Sequence, residues 1–227
     1  MYPNELILTG DGSHSLLSRQ FQVEYHSVHG AIQESRHVFI DAGLAPLLKQ
    51  GVAEIRILEM GFGTGLNALL VRLLARQYPT VRFHYETYEQ FPIAVSEVAA
   101  LNYPVVLEAD TQVFFGLHDC GWGVLHQLDH NFAFRKNQAD FLIQAERPYP
   151  ASFFDLVFYD AFAPRSQPEL WTAAAMVVNW EALRLGGVLV TYCAKGQFKR
   201  DLKTVGFTVE GVPGPPGKRE MTKATKQ

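Results

Sequence analysis

Three glycines at every second position, Gly61, Gly63 and Gly65, lie between Glu59 and Asn67 in the stretch Ile-Arg-Ile-Leu-Glu-Met-Gly-Phe-Gly-Thr-Gly-Leu-Asn. Glycine lets a backbone turn sharply and lets a ligand approach main-chain N–H groups. A helix start behind such a turn adds unpaired donors and a partial positive charge. Dinucleotide sites favour GxGxxG, whose third glycine serves helix–strand packing. Here the glycines alternate, and Glu59 closes the strand before them. A carboxylate there suits a cationic, amino-acid-bearing ligand better than a pyrophosphate. Glu89 follows 24 residues after Gly65, about where an acid accepts ribose hydroxyls. Its rival Glu86 falls inside a strand by alternation. Gln138 and Asp140 are both candidates to meet an adenine, with Asp140 equally suited to cap a helix. Asp160 ends an apolar run, Phe-Asp-Leu-Val-Phe-Tyr, with aromatics on both sides, so its carboxylate is expected to point into a cleft.

The elements that must hold these groups alternate along the chain. A strand over Ile55–Glu59 runs through the glycine turn into a helix with Leu66, Leu69, Leu70, Leu73 and Leu74 at helical spacing, ending before Pro79. Strands are predicted near Val81–Tyr88, Asn131–Lys136, Phe154–Tyr159, Gly187–Tyr192, Phe207–Gly211 and Glu220–Ala224. Helices are predicted from Pro92 to Leu101, within 105–118, over Ala139–Ala145, over Glu169–Leu185 and over Phe198–Val205. This is a mostly parallel, seven-stranded α/β sheet with helices on both faces. The last two strands imply one antiparallel strand at its end. Ligands of such sheets bind outside the carboxyl ends of the strands, where Glu59, Glu89, Asp140 and Asp160 lie. Ahead of this body (51–227), residues 1–50 read as an N-terminal extension. In it, Thr9-Gly-Asp-Gly-Ser13 joins two apolar runs as a hairpin, and a helix over Ala31–Ala42 ends at Gly43.

With 227 residues, 48% hydrophobic and 19% charged, the chain can bury a full core. No apolar run approaches ~20 residues, no signal sequence opens it, and a cytoplasmic protein without a membrane span is expected. Cys120 and Cys193 make neither a disulfide framework nor a zinc site alone, so no metal is expected. The net charge is −3, but Lys195–Gln227 holds eight Lys/Arg against three Asp/Glu. That basic region on an acidic body is the kind that meets phosphates. Lys195, Lys199, Arg200, Lys218 and Arg219 are its candidate contacts. The last two are carried by a Pro- and Gly-rich loop, Gly211–Glu220.

The Glu-x-Gly-x-Gly-x-Gly turn and the antiparallel end together resemble class I (Rossmann-like) methyltransferases that use S-adenosylmethionine (SAM). Further stretches narrow the resemblance: Thr9-Gly-Asp-Gly-Ser13, His29-Gly-Ala-Ile-Gln-Glu-Ser35, Glu89-Gln-Phe-Pro92, Tyr159-Asp-Ala-Phe-Ala-Pro164 and Gly214-Pro-Pro-Gly-Lys-Arg-Glu-Met221. Over nearly the whole chain these are similar to the methyltransferase domain of the MnmC family, free-standing in some organisms as MnmD. The resemblance implies methyl transfer from SAM to the 5-aminomethyl group of a wobble uridine in tRNA, usually 2-thiolated. It implies SAM held by Glu59, Gly61, Phe62, Gly63, Thr64, Gly65, Asn67 and Glu89, and Asp160 beside the acceptor amine. Bifunctional relatives add an FAD-dependent oxidase domain that these 227 residues do not contain, so a separate enzyme is expected to supply the amine. The rival readings are a methyltransferase acting on a small-molecule amine and a non-catalytic SAM-binding subunit.

Overall fold

The computed structural model describes residues 4–142 and 150–227. Strands β1 (Glu5–Leu8), β2 (His14–Ser18) and β3 (Val23–Glu24) form a small antiparallel sheet. The Thr9–Ser13 turn between β1 and β2 caps the next helix. Thr9 Oγ1 accepts from Ala31 N at 3.2 Å, Ser13 Oγ from Ile32 N at 3.4 Å and Asp11 Oδ2 from Gln33 N at 2.8 Å. Three first-turn N–H groups that a helix cannot satisfy itself thus find partners. Helix α1 (Ala31–Ser35) continues through a π-helical run, Arg36–Leu44, into α2 (Ala45–Lys49). The helical run therefore passes Gly43, where a stop was predicted. A Cβ on Gly43 would lie 3.0 Å from Val190 Cγ2, so this glycine lets the helix lie close against the main sheet.

The body follows as β4 (Glu54–Met60), α3 (Leu66–Ala75), β5 (Arg82–Tyr88), α4 (Val95–Ala100), α5 (Tyr103–Val106), α6 (Thr111–Asp119), β6 (His126–Asp129), β7 (Phe132–Asn137) and β8 (Phe154–Tyr159). A 3-10 turn (Pro168–Trp171), α7 (Ala173–Ala182), β9 (Leu183–Thr191), α8 (Gly196–Val205), β10 (Phe207–Pro213) and β11 (Glu220–Lys226) complete it. The main sheet has the order β10-β11-β9-β8-β4-β5-β7-β6. Its central pairs, β9 to β8, β8 to β4, β4 to β5 and β5 to β7, are parallel. Helices cover both faces, so the central strands are continuous apolar runs; all six residues of β8 are buried.

The mostly parallel sheet is as predicted, with eight strands rather than seven. The extra one, β6, pairs antiparallel with β7 at the edge; its sequence, His-Gln-Leu-Asp, lacks an apolar face and gives no strand signal. Pro92 starts no helix. Helix α4 begins at Val95, where Glu97 Oε2 accepts from Ala94 N at 2.6 Å. The long helix predicted over Glu169–Leu185 is split, because Thr172 caps α7 by accepting from Ala175 N at 3.3 Å. It ends at Ala182, and Leu183 already belongs to β9. Of the helix predicted over Ala139–Ala145, the part to Leu142 is bend and turn, and the rest lies outside the described residues. No helix among the described residues is long and apolar enough to cross a membrane.

Strand β11 is antiparallel to both β9 and β10, so β10 runs in the direction of the parallel strands. Its exit loop, 214–219, therefore lies at the carboxyl edge with the other exits, as predicted.

Candidate functional site

Leaving β4, the chain makes its glycine turn with φ of +91° at Gly61, +50° at Gly63 and +76° at Gly65, values that L side chains rarely adopt. Space demands glycine as well: a Cβ on Gly61 would come 2.7 Å from the Asp160 carbonyl oxygen. Phe62 pins the turn from below, packed on Phe134 and His118. Thr64 is buried and receives the Tyr103 hydroxyl at 3.1 Å. Glu89, at the exit of β5, accepts from Gly63 N at 2.9 Å and Phe91 N at 2.8 Å. Two of the carboxylate's roughly four lone-pair positions are thereby used, and the group lines the cavity beside the turn. Burial raises its pKa above the ordinary value.

At the exit of β8, Asp160 caps no turn among the described residues. Its Oδ2 accepts from Asn67 Nδ2, on the first turn of α3, at 2.8 Å. Burial foremost, then the Glu34 charge, pushes the Asp160 carboxyl up to about 7, against the Asn67 hydrogen bond and the Lys218 charge. The following loop is fixed by Gln167 Oε1 accepting from Phe162 N at 3.0 Å and by Trp171 Nε1 donating to Phe162 O at 2.7 Å.

These exits bound one cavity of about 1210 Å³. Gln138 and Asp140 line it from the exit of β7, Asp160 from the exit of β8, and Tyr192, Gly217 and Lys218 from the β9 exit and the β10–β11 loop. The segment 18–29 and Glu34 close it from the N-terminal side. Asp140 Oδ1 accepts from Leu142 N at 2.9 Å, so its carboxylate shapes the turn it sits on.

Glu59 is not on the cavity wall. Alternation along β4 sends it to the face of Ile55 and Ile57, beneath α3, fully buried beside Thr87, Asn67 and Tyr85. Its two oxygens, like the Thr87 and Tyr85 hydroxyls and Asn67 Oδ1, have no well-formed hydrogen bond among the described residues. Burial pushes its carboxyl up to about 8. The expectation of a ligand-facing carboxylate thus missed by one residue: Met60, not Glu59, reaches the cavity.

The five basic candidates divide. Lys195, Arg200 and Arg219 are exposed. Lys199 is half-buried and ion-paired with Glu220 at 2.7 Å. Lys218 turns into the cavity wall, ion-paired with Glu34, its Nζ 4.1 Å above the Tyr192 ring. Sequence reasoning gave no role to Glu34, Tyr25, Tyr192 or Phe162, all on the wall. The signal for Glu34 was present in the His29–Ser35 stretch but carried no chemistry until its partner 184 residues away was known.

The residues fit SAM. A turn that only glycine can make offers close backbone approach, and the Glu89 carboxylate, held by two backbone N–H groups with lone pairs to spare, suits ribose hydroxyls. A family model described as S-adenosyl-L-methionine-dependent methyltransferase matches residues 137–227. The tRNA 5-methylaminomethyl-2-thiouridine biosynthesis bifunctional protein MnmC of Aromatoleum aromaticum is 30% identical over 226 residues, covering 96% of this chain and 35% of that protein. The protein of the same name from Cupriavidus metallidurans is 30% identical over 98% of this chain and 34% of its own. The chain thus spans about a third of the length of these relatives. The crystal structure of MnmC2 from Aquifex aeolicus superposes with a TM-score of 0.81 at 25% identity, covering all of this chain and 71% of that one. With this fold, this glycine cradle and these relatives, the chain is similar to the S-adenosyl-L-methionine-dependent methyltransferase domain of the MnmC proteins.

Proposed function

We propose that this chain methylates the primary amine of a 5-aminomethyl group on the wobble uridine of tRNA, giving 5-methylaminomethyl-uridine. The observation that carries this is Asp160: a carboxylate held by Asn67 at 2.8 Å, lining a cavity of about 1210 Å³. Ligand sites for single small molecules run from about 300 to 1,000 Å³, so there is space for a cofactor and a nucleobase together. In this reading Gly61, Phe62, Gly63, Thr64, Gly65 and Asn67 shape the cofactor seat. Glu89 takes the ribose, and Gln138 or Asp140 the adenine edge. The bound cofactor supplies an electrophilic methyl group on a sulfonium.

A primary alkyl amine, with a pKa around 10 if lysine is a guide, arrives protonated. Only its neutral form attacks. The arriving ammonium gives up one proton to water or through Asp160; ionised Asp160 then accepts hydrogen bonds from the neutral amine and aims the nitrogen lone pair along the line of attack. Bound SAM, seated by the glycine turn and Glu89, would supply the methyl group to that lone pair and would leave with the bonding electron pair on its sulfur. The product ammonium then loses its proton to water or through Asp160. Cys193 is buried and plays no part, since amine methylation needs no covalent adduct. Exposed Lys195, Arg200 and Arg219 meet the tRNA phosphates. Residues 1–50 act as the extension that closes the cavity on the 51–227 body. A distinct activity provides the aminomethyl precursor, and the work takes place in the cytoplasm.

The test is incubation with SAM and tRNA carrying 5-aminomethyl-uridine, read by nucleoside mass spectrometry. Appearance of the methylaminomethyl nucleoside supports the reading. No product on tRNA, with transfer to free small amines instead, would overturn it.

A further inference from the structure

The Lys218–Glu34 ion pair has a geometry that phosphate binding does not explain. Glu34 Oε2 accepts from Ser27 N at 2.7 Å, and its Oε1 receives Lys218 Nζ. The ammonium sits 4.1 Å over the Tyr192 ring. The Tyr192 hydroxyl in turn donates to Ala161 O at 2.8 Å, tying that ring to the residue next to Asp160. Lys218 therefore stands one aromatic ring away from Asp160, and both line the same cavity. An ammonium has three N–H donors. Glu34 takes one, and a third of the side-chain surface remains open. A phosphate there would face the Glu34 carboxylate and, when ionised, Asp160. A neutral acceptor would meet no such repulsion.

The cavity thus offers one acceptor, Asp160, and one donor, Lys218, with the Tyr192 ring linking them. The acceptor named under Proposed function has the complementary pair. Its amine hangs from ring carbon C5, and the adjacent ring carbon, C4, carries a carbonyl oxygen. A cytosine ring would present an amino group at C4, donor against donor. We propose that Lys218 is a specificity-determining residue that donates a hydrogen bond to the C4 carbonyl oxygen of the pyrimidine while Asp160 holds the neighbouring amine. This rests on the uridine reading of the substrate.

The experiment is a cycle between residue and substrate atom. Wild type and Lys218→Met are assayed on anticodon stem-loops carrying either 5-aminomethyl-uridine or its analogue with hydrogen in place of the C4 oxygen. A hydrogen bond from a charged donor corresponds to about 10- to 150-fold in rate, from ~1.5–3 kcal/mol. Wild type should lose kcat/KM by that factor on the analogue, and Lys218→Met should lose a similar factor on the natural base. The variant should lose no more than about threefold further on the analogue, since the interaction is already gone. Full additivity of the two losses would show a merely structural lysine and overturn the proposal. Wild type alone is sufficient if the variant fails to fold: equal kcat/KM on the two RNAs overturns it. Failure of wild type on the natural base overturns the uridine reading itself, and this inference with it.

Discussion

The hydrogen bond from Asn67 to Asp160 sets a measurable pH dependence. Two groups must be unprotonated for attack, Asp160 with its pKa pushed up to about 7 and an amine near 10. Log kcat/KM should therefore rise with a slope of about 2 below pH ~7 and about 1 between ~7 and ~10. The break belongs to Asp160. Burial raises its pKa and the Asn67 amide opposes that rise, because a donor to the carboxylate favours the charged form. Removing the donor with Asn67→Ala takes away a charged hydrogen bond of ~1.5–3 kcal/mol. At 1.36 kcal/mol per unit this is about 1–2 units. Asp160 borders an open cavity, which screens the interaction, so the lower end applies and the break should move up to about 8.

The assay is kcat/KM for the RNA at saturating SAM over about pH 5.5–9.5. Calorimetry with S-adenosylhomocysteine confirms that the cofactor seat survives. Asp160→Asn should lower turnover by about two orders of magnitude, the scale of a positioned acid–base group, and should abolish the break. A break at the same pH in Asn67→Ala, with the cofactor still binding, would refute the reasoning. Asn67 would then be a cofactor contact whose bond to Asp160 is incidental.

Three further outcomes are expected. Gly63→Asp should abolish S-adenosylhomocysteine binding in calorimetry, because the residue has φ of +50°, its Cβ would lie 3.1 Å from the Tyr25 ring, and a negative charge would stand beside Glu89; retained affinity would move the cofactor elsewhere. Arg200→Ala with Arg219→Ala should reduce the log–log salt slope of tRNA affinity by roughly 1.4–1.8, the loss of two phosphate contacts, while Lys218→Met should leave that slope unchanged. Glu59→Gln should stabilise the fold increasingly as pH rises. The folded pKa of Glu59, about 8, lies above its ordinary 4.5, so its favourable neutral burial is complete below pH ~4.5 and is lost as pH rises through ~8. Thermal melts should show nearly equal stability at pH ~5 and an advantage of a few kcal/mol for Gln at pH ~8.5, and an advantage independent of pH would mean the carboxyl is not what is being relieved.

The central sheet was legible because its strands are short apolar runs punctuated by glycine, proline and helical periodicity, and β8 was predicted at its observed bounds. The carboxyl-edge rule then placed Glu89 and Asp160 on the cavity without further information. Errors arose where a side-chain cap outweighed the pattern. Thr172 and Glu97 each start a helix later than proline suggested, and the Gly43 stop was overridden because the sheet below needed the helix close. Glu59 was misplaced by one residue of alternation, which in a strand is the difference between cavity and core. The motif is the same whether the acid meets the ligand or supports the helix above it, so motif recognition alone could not separate the two.

The Lys218 side of the cavity was beyond any local pattern. Lys218 read as a phosphate contact because its charge was counted with seven other basic residues, whereas its environment is set by Glu34 from the other end of the chain. The N-terminal segment is joined to the cavity in the same non-local way. The Thr9–Ser13 turn caps α1, α1 carries Glu34, and Glu34 holds both Ser27 N and Lys218. Phe21 touches Phe91 at 5.7 Å and Phe162 at 4.9 Å between centroids, bridging the exits of β5 and β8. Residues 1–50 therefore supply a wall of the cavity that the Rossmann-like body lacks. The body can seat a cofactor with its own strand exits. The other lining groups come from the N-terminal segment, α1 and the β10–β11 loop together, and in the reading proposed above they choose the acceptor. On that reading, the stretches that looked most peculiar to the MnmC resemblance lie outside the glycine turn because the turn serves a cofactor common to many methyltransferases, whereas the rest of the lining serves one acceptor.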